Sequence, residues 1–139
     1  ALAVAGAYVL LSFAGSQAAR RTVAAAEPEA ARILAGPAIL DPLRRELVVE
    51  SGGTYRLGRF DLAARTWALD GPAIEKRMGG PGARAAAATP EGSTFLRWAR
   101  FPYFHAEGDT LRISDARYEG PRGGWASVRI PLPRATSAR

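Results

Sequence analysis

From Ala1 to Ala19 the chain carries no charged side chain; Leu2, Val4, Tyr8, Val9, Leu10, Leu11 and Phe13 stand among Ala, Gly and Ser, and Arg20-Arg21 come directly after. Nineteen residues of helix rise about 28 Å, close to the ~30 Å hydrocarbon core of a bilayer. The pattern predicts the end of a transmembrane helix over residues 1–21. Gly6, Gly15 and Ser16 are the small residues that let such helices pack closely. A buried helix of a soluble core and a signal sequence are the alternatives. No basic stretch precedes the apolar run, which speaks against the latter. The first residue is Ala, so a piece of a longer protein is expected. Arg20-Arg21 then favour a cytoplasmic position for the rest of the chain.

Beyond the arginines the period changes. Val23, Ala26, Ala30, Ile33 and Leu34 recur at helical spacing in Ala-rich sequence, predicting a helical connector over 22–36 that breaks near Pro28 and ends at Gly36-Pro37. After that, alternation predicts strands at 46–50, 54–62, 66–69, 103–106, 111–118 and 125–132. Ser51-Gly52-Gly53 is a tight turn. Phe60 falls out of phase with Tyr55 and Leu57, which suggests a bulge near Gly58. Gly79-Gly80-Pro81-Gly82 reads as a loop, lacking the flanking strand and helix of a phosphate-binding loop. Alanines 85–88 suggest a helical turn. Thr89-Pro90-Glu91 is a helix start, with N-cap threonine, Pro in the first turn and an acid at the positive end. Phe95, Trp98 and Ala99 share one face of that helix, so Trp98 is expected to anchor the core. Pro102 ends the helix, and 120–124 is a loop. The expected fold is α+β: an N-terminal helix, then one small antiparallel sheet of about five or six strands with one packed helix over 37–133, and a flexible tail at 134–139.

Composition narrows the function. The chain has 139 residues, a net charge of +6 and no cysteine. That length suits one modest domain, and the lack of cysteine excludes disulfides and thiolate metal sites. Only Lys76 among 19 basic residues is lysine, and the arginines are scattered between acids without a run of four. That scatter argues against nucleic acid as a partner; membrane lipid is the partner the first segment implies.

The stretch from Phe95 to Phe104 packs five aromatics and two arginines into ten residues, with Asp115-Ala116-Arg117-Tyr118 a short turn later. Arg97 and Arg100 lie about one helical turn apart, while Asp115 and Arg117 fall on one side of a strand. A carboxylate paired with a guanidinium in a partly buried sheet is the plain structural outcome. The sharper reading makes Arg97, Arg100, Asp115 and Arg117 a binding site for an anionic head group, with Asp115 orienting an arginine. His105, Glu107 and Asp109 share a strand side only if no turn intervenes at Gly108, so they read as hairpin residues rather than metal ligands. No Ser-His-Asp set or paired-carboxylate motif is present, so catalytic residues are not identified.

Ala38-Ile39-Leu40-Asp41-Pro42-Leu43, Gly53 to Phe60, Phe95 to Phe104 and Asp115 to Tyr118, in this order behind an apolar helix, resemble the C-terminal part of the membrane-bound metal-dependent hydrolases of bacterial inner membranes. The resemblance covers about residues 1–132. Arg44 stands where that pattern often has Trp. It implies preceding transmembrane helices in the same protein, an inner-membrane location, and a divalent metal such as zinc held by the N-terminal membrane half. It implies no ligand for that metal within this chain. The rival expectation is a non-catalytic binding or assembly module on a membrane anchor.

Overall fold

A computed structural model describes residues 2–38, 41–119 and 124–132. Ile39 and Leu40 of the resemblance, loop residues 120–123 and the expected tail at 134–139 lie outside the described residues. The class is α+β, as the sequence predicts. The strands, however, form two sheets rather than one, and the chain divides into two units, 1–73 and 74–139.

The first unit is a helix laid on a sheet. Helix α1 runs from Leu2 to Ala26. Strands β1 (Arg32–Ala38), β2 (Asp41–Ser51), β3 (Thr54–Asp61) and β4 (Thr66–Glu75) come next, adjacent in that order. The expected connector over 22–36 is thus helical only to Ala26. Pro28 halts the helix, and Arg32 to Ala38 pair antiparallel with β2, placing Ile33 opposite Val49 and Ala35 opposite Leu47. Pairing with an apolar strand overrides the helical propensity of the alanines. β2 and β3 close through Gly52 and Gly53 at φ 54° and 85°, the positive-φ pair that a two-residue hairpin demands.

The β2–β3 register is regular through Gly58, so there is no bulge there. Phe60 is out of phase because it belongs to the other face. Arg45, Leu47 and Val49 on β2 and Gly58 and Phe60 on β3 lie on the face that α1 covers, whereas Tyr55 lies on the opposite face. Ala19, Val23, Ala35, Leu47, Val49 and Phe60 form the buried core of this unit. Gly58 lets β4 come close, since a Cβ there would meet the Ala68 carbonyl oxygen at 2.3 Å.

The second unit packs two short helices on a three-stranded sheet. Helix α2 is Pro81–Ala87, helix α3 is Pro90–Trp98, and β5 (Pro102–Glu107), β6 (Thr110–Asp115) and β7 (Ser127–Pro131) are antiparallel in that order. Thr89 caps α3 by accepting from Gly92 N at 3.1 Å. Ala83, Ala86, Phe104, Leu111, Ile113 and Ile130 make the core, with Phe95 and Leu96 packed on it. Gly92 is the buried residue of α3, so the inward face is Gly92, Phe95 and Leu96. Trp98 is 47% exposed; the expectation that it anchors the core fails because α3 is rolled toward Leu96.

Candidate functional site

Asp115 ends β6, where the strand passes into a 3-10 turn over Ala116–Tyr118. The carboxylate is fully buried. Its Oδ1 accepts from Arg117 N at 3.0 Å and caps the turn, while Oδ2 accepts from Arg100 N at 2.7 Å. The Arg117 guanidinium completes the set, with Nε 3.0 Å from Oδ1 and Nη2 2.8 Å from Oδ2. Burial alone would disfavour the carboxylate charge. The Arg117 side chain and the backbone N–H groups of Arg117 and Arg100 outweigh it and hold the Asp115 pKa below the ordinary range. The same bond, with Asp115, raises the Arg117 pKa against the opposing effect of burial.

An ionised carboxylate surrounded by donors accepts hydrogen bonds and has no proton to give near neutral pH. Asp115 therefore acts as a clamp, tying the segment after α3 to the turn after β6. Arg117 lies in the turn, so its pairing with Asp115 arises from the turn and not from a shared strand face.

The clamp orients a run of rings. The Arg117 guanidinium lies 5.1 Å from the Trp98 ring centroid and 4.9 Å from that of Tyr118. Trp98 and Tyr118 stack at 5.5 Å and 14°, Tyr118 meets Trp125 at 4.7 Å and 56°, and Phe95 meets Trp98 at 5.6 Å. Trp125 is 74% exposed. Beside Phe95 an open hollow of about 450 Å³ is lined by Pro90, Glu91, Thr94 and Val128.

The four residues singled out in the sequence thus divide. Asp115 and Arg117 meet through their side chains, and Arg100 joins them through its backbone N–H. Arg97 is exposed and turns back to Thr94 Oγ1 at 3.0 Å. Tyr103 and Glu119 share a hydrogen bond that no spacing in the sequence signals. Burial, and then Glu119, push the Tyr103 hydroxyl up to about 12. Of the hairpin residues, His105 is exposed and Glu107 is bridged to Arg112 at 2.9 Å and Arg129 at 3.1 Å. Among the described residues no three His, Asp or Glu side chains converge as a metal site would require.

Among the described residues the other buried charged side chain is in the first unit. Arg45 is 1% exposed and donates through Nη1 to the carbonyls of Pro42 and Arg44, at 2.9 and 2.8 Å. Its inward position comes from alternation with Leu47 and Val49, a signal present in the sequence. Comparison with known protein families, with curated proteins and with solved structures gives no match to this chain.

Proposed function

We propose that this chain is the membrane-attached, non-catalytic part of an integral membrane protein, a binding or assembly module on an apolar anchor. The observation that carries it is the contrast within α1. The helix is long and apolar enough to cross a membrane. Its inward residues, Ala19 and Val23, are fully buried, while Leu2, Val4, Tyr8, Val9, Leu10, Leu11 and Phe13 are 56–91% exposed. So many large apolar side chains in continuous exposure are favourable in lipid and costly in water. Arg20-Arg21 support a cytoplasmic position for the two β units. In the second unit the clamped rings of Trp98, Tyr118 and Trp125 supply rigid apolar surface suited to contact with another molecule.

Expressed in bacteria, the full chain should pellet with membranes and resist alkaline carbonate. Val9→Asp with Leu10→Asp should release it. A full chain that stays soluble and monomeric without detergent would refute the anchor.

The hydrolase reading rests on the resemblance alone. In that reading a divalent metal such as zinc, held by preceding transmembrane helices at an inner membrane, supplies the activated water, and this chain supplies a supporting surface.

A further inference from the structure

Helix α1 and the first sheet run side by side in a fixed register. At one end Arg45 Nη2 lies 3.4 Å from the Ser12 carbonyl oxygen. A Cβ on Gly15 would come within 2.8 Å of both Arg45 Nη2 and Leu62 Cδ1. Gly15 therefore serves close approach of the sheet rather than of another helix. At the other end Glu27 pairs with Arg56, and Ala31 N donates to Glu50 O at 2.8 Å. The rim formed by the start of β2 and the turn between β3 and β4 is thus level with Ser12 to Gly15. On the N-terminal side of that level α1 stands open, with Leu10 70% and Leu11 71% exposed.

We propose that this rim rests on the membrane surface and takes the phosphates of anionic lipid headgroups. The inference depends on the reading of α1 as an anchor. Lipid that covers Leu10 and Leu11 reaches the rim before anything else on the sheet. Arg20 lies about 8–12 Å further along the helix axis, whereas the headgroup layer is only about 5–7 Å deep on each side. The rim, and not the Arg20-Arg21 pair, then marks the lipid boundary.

Rim chemistry fits that position. Leu43 is 56% exposed. Beside it a hollow of about 340 Å³ is lined by Arg44, Arg59, Asp61 and Trp67. Arginine and tryptophan side chains, with an apolar body and a polar tip, suit the interface between hydrocarbon and water. Asp61 Oδ1 is directed to the turn backbone, accepting from Ala63 N and Ala64 N, both at 2.9 Å, and its charge is outnumbered by those of Arg44 and Arg59 in the same lining. Arg44 pairs with Asp41 at 3.2 Å and Arg59 with Asp70 at 2.9 Å. These exposed pairs are weak and can yield to a lipid phosphate. Arg65 is exposed in the same turn.

Arg45 adds a further charge on the side of the rim that faces α1. Its guanidinium is buried against carbonyl oxygens only, its Nε has no hydrogen-bond partner, and among the described residues it forms no ion pair. A buried cation without a counter-charge is expensive. Phosphates drawn to the rim provide that counter-charge from just outside, without entering the core.

The absence of native cysteine permits a direct test on the full chain. Single cysteines at Leu10, Leu43 and Glu29 carry an environment-sensitive fluorophore, and the protein is reconstituted in phosphatidylcholine vesicles with and without phosphatidylglycerol. Leu10 should be quenched by lipid spin-labelled on the acyl chain. Leu43 should be quenched by headgroup-labelled lipid, more strongly when phosphatidylglycerol is present, and R44E with R65E should abolish that gain. Glu29, at the far end of the sheet, should remain unquenched. If Leu10 is quenched but Leu43 behaves like Glu29, the rim proposal falls while the anchor stands. Equal Leu43 quenching in both lipids, indifferent to R44E and R65E, overturns the recognition of anionic headgroups. A Leu10 label that reports water overturns the anchor and the rim together.

Discussion

Asp115 shows how a single buried carboxylate can be structural. It accepts from two backbone N–H groups and from Arg117, which is itself only 17% exposed. Breaking a buried pair leaves one charge uncompensated and costs about 3–5 kcal/mol. Asp115→Asn should fall near the lower end of that range in denaturant melts, because Arg117 can turn partly to water. The pH dependence has a definite sign. The folded pKa of Asp115 is depressed, so its contribution is complete above the unfolded value of about 3.9 and is lost as pH falls through the lower folded value. Acid unfolding of the Asn variant should accordingly be shallower than that of the parent. An Asp115→Asn protein that melts like the parent would overturn the structural assignment of this carboxylate. The Asp115–Arg117 pair was expected from the sequence on a shared strand face, but the 3-10 turn that brings the two together was not legible there. The fate of Trp98 was not legible either, because its helix face can roll by one residue without disturbing the i, i+3, i+4 pattern that Gly92, Phe95 and Leu96 also satisfy.

At the scale of elements, local rules hold where tertiary pairing agrees with them and fail where it does not. The N-cap of α3, the hairpin at Gly52-Gly53 and the strands around Val48, Ile113 and Ile130 were readable because propensity, period and turn chemistry coincide, whereas α3 ends at Trp98 and not at Pro102, which opens β5. β1 was not readable, since Arg32 to Ala38 contains Ala, Gly and Pro and becomes a strand only through its pairing with β2. Phe60 likewise needed the position of α1 to make sense of its phase. Gly92 illustrates the opposition of local and tertiary terms. Glycine to alanine inside a helix ordinarily stabilises by about 1 kcal/mol. Here the added Cβ would lie 2.0 Å from the Ala86 carbonyl oxygen and 3.0 Å from Thr89 Oγ1. The obstacle is backbone, so α2 and α3 must separate, and overpacking of this kind costs about 1–3 kcal/mol. Gly92→Ala should therefore lower stability in thermal melts. A variant more stable than the parent would show that the two helices are not held at this separation.

The whole molecule holds two buried cores that, among the described residues, share no member. Ala19, Val23, Leu47, Val49 and Phe60 belong to the first, and Phe104, Leu111, Ile113 and Ile130 to the second. Units of this size sit near the lower limit at which a single core sustains a fold, so each depends on a few large side chains. Leu47 and Ile113 are buried to 1% and 0% exposure, and truncating either to alanine should cost about 2–5 kcal/mol. The apolar helix α1 belongs to the first unit and the clamped rings to the second, so the two substitutions should have separable consequences. Hydrogen exchange on the full chain in detergent should show Ile113→Ala losing protection in β5 to β7 while β2 and β3 remain protected. Leu47→Ala should do the reverse. Membrane fractionation should be unchanged by Ile113→Ala, because the exposed apolar half of α1 requires nothing from the second core. Equal loss of protection in both strand sets after either substitution would show one cooperative fold, and attachment and ring surface would then be features of one body rather than of two.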